Sequence, residues 1–195
     1  MKRTIFLIAL TVLGALPAVA QTNEFGVLIG GSRRFVDAAK EEAGVDFRDS
    51  TFSLSNNAFD IFWAVRIEPE TYLKFRAGRI KNDIGIAYKL PTGTDGKLET
   101  YRRDSDGEVQ HLTANVEYRF SEPWGSTGLV GGLGFYRLSP EDEDSETSFG
   151  FNGGVTADFP LSRRYGVILD ATYHFAGGEL QQRFLTASAG LRVSF

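Results

Sequence analysis

The chain contains no cysteine, so a disulfide framework, thiolate chemistry and attachment of a lipid to a cysteine are all excluded. Its histidines number two, His111 and His174, which leaves little material for imidazole-based catalysis. Downstream of residue 20 no apolar run approaches the roughly 20 residues that a membrane-spanning helix needs. Hydropathy alone would therefore class that part as soluble. Basic charge is also short, with 21 Lys and Arg against 25 Asp and Glu. Without a basic excess the chain is a poor nucleic-acid binder, and it carries no motif for a cofactor.

What is present begins at the N-terminus. Lys2 and Arg3 precede an apolar stretch from Ile5 to Leu13, and Ala18-Val19-Ala20 stands before the polar Gln21. This order of basic, apolar and small residues predicts a secretory signal peptide over residues 1–20, cleaved after Ala20. Pro17 and the shortness of the run argue against a retained anchor. Residues 21–195 then form one domain, with 19 basic against 25 acidic side chains once Lys2 and Arg3 are lost.

That domain alternates. Strand side chains point to opposite faces in turn, and eight segments each present one apolar set at every second position. They begin with Phe25, Val27, Ile29 and Gly31; then Phe59, Ile61, Trp63, Val65 and Ile67; then the shortest, Leu73, Phe75 and Ala77. Further sets run through Leu112–Phe120, Leu129–Phe135, Phe149–Phe159, Val167–Phe175 and Leu185–Phe195. None of these positions is charged, although a soluble sheet tolerates occasional charge there. In lipid a basic residue at mid-depth costs about 2 to 4 kcal/mol. Pro69, Pro91, Pro123, Pro140 and Pro160 are expected between segments, as a closed sheet without edges requires. Connections Glu68–Glu70, Ser121–Ser126 and Pro160–Gly166 are short, whereas Arg33–Asn57 and Lys81–Glu108 are long. Short turns on one side and long loops on the other match a barrel with periplasmic termini. Aromatics gather accordingly: Phe59, Phe135, Phe149, Tyr173 and Phe175 at the outer interface, and Phe25, Tyr118, Phe120, Phe159 and Phe195 at the periplasmic one.

The last segment carries a more specific pattern. Ser188, Gly190, Val193 and Phe195 follow the order polar, x, glycine, x, x, hydrophobic, x, aromatic. This resembles the C-terminal strand of small Gram-negative outer-membrane β-barrels, the family of OmpA-like and OmpX-like barrel domains. The resemblance implies an all-β fold, an eight-stranded antiparallel up-and-down transmembrane β-barrel over 21–195. It also implies an outer-membrane location, contact with outer-membrane lipid and lipopolysaccharide, and recognition of those four residues by the barrel-assembly machinery.

An eight-stranded barrel is just wide enough for side chains to fill it. The inward positions carry Arg66, Lys74, Arg76, Arg119 and Arg192 against Glu24, Asp60, Glu117, Asp158 and Asp170. Balanced charge predicts a paired network that plugs the lumen rather than a selective pore, because unpaired charge out of water is costly. Antiparallel pairing of the third and fourth segments should bring Lys74 near Glu117 and Arg76 near Asn115. No serine is placed at a histidine with an acid in a pattern that matches acyl-transfer chemistry. Asp104, Asp106 and Glu108, and the Glu141–Glu146 cluster, lack the spacing of a calcium loop. Alternating Ile84, Ile86, Tyr88 and Leu90 suggest that the third strand extends above the membrane.

These observations lead to a structural, surface-interaction or adhesive role, not an enzyme, with contact to a surface or protein made through loops 33–57 and 81–108. The competing readings are a narrow small-solute channel, a lipid-modifying barrel enzyme, and a soluble lipocalin-like carrier with the apolar face turned inward.

Overall fold

The computed structural model describes residues 22–35, 53–92, 97–140, 144–177 and 182–195, and of 53–56, 82–92, 97–106 and 140 the backbone alone. The expected signal peptide, residues 36–52 of the expected loop 33–57, and residues 141–143 lie outside these. Eight strands follow one another: β1 Asn23–Arg34, β2 Ser53–Glu68, β3 Thr71–Thr92, β4 Lys97–Glu122, β5 Gly125–Pro140, β6 Glu146–Pro160, β7 Tyr165–Ala176 and β8 Gln182–Ser194. Each pairs antiparallel with its sequence neighbour, and β8 returns to β1 to close the barrel. Closure pairs the wall's backbone donors and acceptors strand to strand, the condition for a sheet to stand in hydrocarbon.

The alternation sorts the side chains as the period of two requires. Leu112, Leu133 and Phe135 project outward and are 59%, 55% and 60% exposed, while Lys74 and Asp60 on the inner parity are 0% exposed. So wide an apolar band has no counterpart on a soluble monomer. The lipocalin-like arrangement is therefore overturned, since the apolar face lies outside and the charges inside. Rings gather near both ends of the wall: Phe135 meets Phe149 edge-on at 5.8 Å, Tyr118 meets Phe120 at 4.9 Å, and Trp124 stacks on Phe159 at 5.0 Å.

Three sequence expectations need correction. The segment expected to be shortest belongs to β3, which has 22 residues, and its partner β4 has 26. Residues 81–108 are accordingly not an open loop. Pairing continues without a break from Thr71↔Tyr118 to Thr92↔Lys97, as the alternation of Ile84 to Leu90 suggests. Charges such as Lys81, Asp83 and Asp104 hide this extension, because above the membrane a strand has no need of an uncharged face. Finally, Pro91, Pro140 and Pro160 lie inside strand ends rather than between strands. Pro140 and Pro160 are terminal residues, and Pro91 sits where β3 has only β4 beside it, an edge on which a missing N–H is tolerated.

Candidate functional site in the barrel interior

The inward side chains form two charged layers beneath an apolar one. The periplasmic layer is centred on Arg119 of β4. Its Nη1 and Nη2 donate to both carboxylate oxygens of Glu24 at 3.1 and 2.8 Å, and its Nε donates to Glu117 Oε1 at 3.0 Å. The guanidinium also lies 3.9 Å from the centre of the Tyr72 ring, a favourable cation–π distance. Glu117 receives Lys74 Nζ at 3.0 Å and the Thr156 hydroxyl at 2.8 Å. Arg192 Nε donates to Asp158 Oδ2 at 2.5 Å, and Arg119 stands 3.7 Å from the same oxygen. Three cations thus meet three anions, drawn from five strands.

The upper layer is centred on Arg76 of β3. Nη2 donates to Asp60 Oδ2 at 2.9 Å, and Nη1 to Asp170 Oδ2 at 3.2 Å and to Thr172 Oγ1 at 3.0 Å. One guanidinium faces two carboxylates, and the imidazole of His111 stands beside them with Nε2 2.9 Å from Asp60 Oδ1. His174 sits above, its Nδ1 3.1 Å from the Tyr136 hydroxyl and its Nε2 3.3 Å from that of Thr186. Its ring stacks on Phe184 with centroids 5.0 Å apart. Ala58, Ile80, Val109, Tyr136, Leu138, Ala176 and Phe184 then close the outer end as one buried apolar cluster.

Most of the residues singled out from the sequence converge here. Lys74 reaches Glu117 as expected from strand pairing, and Arg119, Asp158, Asp170 and Arg192 each find opposite charge. Two expectations differ. Arg66 does not join the charge network: it is half-buried at the periplasmic mouth, where Nε and Nη2 donate to the turn carbonyls of Glu68 and Pro69 at 3.3 and 2.5 Å. Arg76 does not meet Asn115: the offset is the same diagonal by which Lys74 reaches Glu117, but the Arg76 guanidinium is taken up by Asp60, Asp170 and Thr172. The amide Nδ2 of Asn115 instead donates to the Lys74 carbonyl at 3.1 Å.

The pairs across the barrel, Arg119 with Glu24 and Arg76 with Asp170, had no signal in the sequence beyond inward parity, whereas Asp60 meets Arg76 diagonally within the β2–β3 hairpin. Asp60 also meets His111, the two standing on either side of Gly78 of β3. The hydroxyls that do reach an imidazole, those of Tyr136 and Thr186, serve His174 instead.

The four C-terminal pattern residues lie along β8, the strand that closes the barrel. Ser188 is inward, between Gly30 of β1 and Asp170 of β7. A Cβ on Gly190 would come within 1.8 Å of the Val27 carbonyl oxygen, so only glycine allows β1 to approach. Val193 pairs with Phe25 and Tyr165. Phe195 is 71% exposed, and its backbone exchanges hydrogen bonds with Asn23 at 2.9 and 3.0 Å.

The sequence matches the outer membrane protein beta-barrel domain family over residues 6–192. No curated protein sequence matches it. Among solved structures, it is similar to Neisserial surface protein A, with 16% identity and a TM-score of 0.61 over 92% of this chain and 100% of that one. The N-terminal barrel of OprF from Pseudomonas aeruginosa gives 12% identity and 0.52 over 89% and 97%. Ail, the attachment invasion locus protein of Yersinia pestis, gives 12% and 0.51 over 89% and 98%. With the closed eight-stranded wall, its apolar exterior and the extent of the family match together, the chain belongs to the outer membrane protein β-barrel domain family and resides in the outer membrane of a Gram-negative bacterium.

Proposed function

We propose that this protein is a closed membrane anchor that presents the β3–β4 hairpin to a surface or protein outside the cell. The observation that carries this reading is where pairing stops on either side of that hairpin. β2 leaves β3 at Ala58↔Ile80, and β5 leaves β4 at Gly107↔Pro140. Among the described residues, 83–92 and 97–106 pair only with each other. At about 3.3 Å per residue, these ten residues of β3 make a ribbon about 33 Å long. Both its edges carry backbone groups with which an extended segment of a partner can pair.

The interior supports anchoring over transport and catalysis. A pore needs a continuous wet path, whereas here two charge layers and an apolar cluster occupy the lumen in series. A hydrolase needs a nucleophile at its base, whereas the Asp60–His111 pair is enclosed beneath the apolar cluster.

The test replaces residues 82–107 by an Asn-Gly turn in cells that display the protein. The shortened barrel still assembles, and retention of the cells on protein-coated glass falls to that of cells without the protein. Undiminished retention refutes the adhesive reading. Planar-bilayer recording of the refolded chain separates the alternative: silence accords with a plug, and reproducible conductance steps establish a channel.

A further inference from the structure

We propose that the β6–β7 turn is a docking point for the phosphate of an anionic phospholipid in the periplasmic leaflet of the outer membrane. The turn is built rather than loose. Leu161 and Ser162 donate their N–H groups to the Tyr165 carbonyl at 2.9 and 3.0 Å, and the Ser162 hydroxyl accepts from the N–H groups of Arg164 and Tyr165 at 3.3 and 3.1 Å. Ser194 of β8 then donates to the Arg164 carbonyl at 2.7 Å. Two consecutive arginines, Arg163 and Arg164, are held exposed on this frame. Among the described residues, neither has an acidic partner.

The rest of the periplasmic rim has the opposite sign. The β2–β3 and β4–β5 turns expose Glu68, Glu70 and Glu122, and Arg66 spends its donors on backbone carbonyls. Exposed basic charge at this rim therefore gathers at one turn. Its depth selects the ligand. Leu161 is 67% exposed, and beside it Tyr165 and the Trp124–Phe159 stack belong to the aromatic girdle, which marks the headgroup level. Guanidinium groups just beyond that girdle lie at phosphate depth, and their planar fork suits phosphate oxygens. The apolar side chains beneath them meet acyl chains. An anion carried on an apolar body fits this arrangement, and a free anion uses only half of it.

The protein has two tryptophans, so Trp63→Phe leaves Trp124, at the edge of the patch, as sole reporter. The full barrel in this background is reconstituted in phosphatidylcholine vesicles containing equal fractions of brominated phosphatidylglycerol or brominated phosphatidylcholine. Trp124 fluorescence is quenched preferentially by the anionic lipid, with an enrichment of about fivefold per arginine engaged. The preference disappears in R163Q/R164Q, persists in R163K/R164K, and survives millimolar inorganic phosphate. Equal quenching by the two lipids, or an unchanged preference in R163Q/R164Q, overturns the proposal. Abolition by inorganic phosphate does so too, because it makes a free anion the ligand. Should R163Q/R164Q not fold, raised salt applied to the parent decides: the preference weakens as screening demands, and indifference to salt refutes it.

Discussion

Lys74 stands opposite Asn115 in the β3–β4 register, yet its ammonium pairs with Glu117, two residues further along β4, at 3.0 Å. The diagonal reach lets Asn115 bond the Lys74 carbonyl and leaves Glu117 between two cations, Lys74 and Arg119. One carboxylate thereby joins the β3–β4 hairpin to Thr156 of β6 and, through Arg119, to Glu24 of β1. The lumen network braces the barrel across its diameter, a direction in which backbone pairing has no strength.

Glu117→Gln removes the charge that Lys74 and Arg119 share while keeping the shape. Taking one partner from a buried ion pair costs about 3–5 kcal/mol. Urea unfolding of the refolded barrel in lipid vesicles measures the loss. A double-mutant cycle with Lys74→Met then isolates the pair, and a coupling near zero would show that the diagonal contact contributes nothing.

Two glycines on the wall separate crowding from backbone flexibility. A Cβ on Gly78 would lie 2.0 Å from Asp60 Oδ1 and 2.6 Å from His111 Nε2, whereas one on Gly131 would meet nothing nearer than 4.0 Å. Gly78→Ala forces the Asp60–His111 contact apart and destabilises by about 1–3 kcal/mol, the usual scale of overpacking. Gly131→Ala in the same unfolding assay changes stability little. Equal effects would mean that the space around Gly78 yields.

Leu133 projects from β5 with Ala114 and Phe151 as its lateral neighbours. Leu133→Arg places a charge in hydrocarbon and costs about 2 to 4 kcal/mol. The same substitution at Leu161, at the headgroup boundary in the periplasmic turn, costs about 0 to 1 kcal/mol. If Leu133→Arg were equally mild, the outward face would not be in lipid.

Phe195 contributes a side chain that is 71% exposed and a backbone that is paired with Asn23. Phe195→Ala keeps the backbone pairing, so the refolded barrel is destabilised less than by Glu117→Gln. Assembly in cells, followed by pulse-chase and the appearance of the heat-modifiable folded form, slows markedly if the terminal aromatic is part of an assembly signal. Assembly at the parental rate would assign that signal elsewhere in β8.

The wall could be read from the chain because its code is local. Phe59, Ile61, Trp63 and Ile67 reveal a strand and its lipid face without knowledge of any neighbour, although Val65 on the same parity is buried, and eight such sets imply closure. The Lys74–Glu117 pair followed for a related reason, since one hairpin brings its two strands together. Arg76 did not follow as a whole: Asp60 lies diagonally opposite it within the β2–β3 hairpin, but Asp170 comes from β7 across the lumen. Inward parity names the participants of such a network but not their pairing across the lumen. The β3–β4 ribbon was obscured for a different reason, as alternation of apolar and charged residues loses its contrast once both faces leave lipid.

The sequence by itself determined that this protein is a β-barrel of eight strands with an apolar exterior and a charge-balanced interior, because a period of two converts the order of residues directly into inside and outside. Tertiary structure decided which charges meet, how far β3 and β4 rise beyond the wall, and that Arg66 serves a turn rather than the lumen. Those outcomes depend on register, on strand extension and on distances across the barrel, all of which are set only when residues remote in the chain are brought face to face.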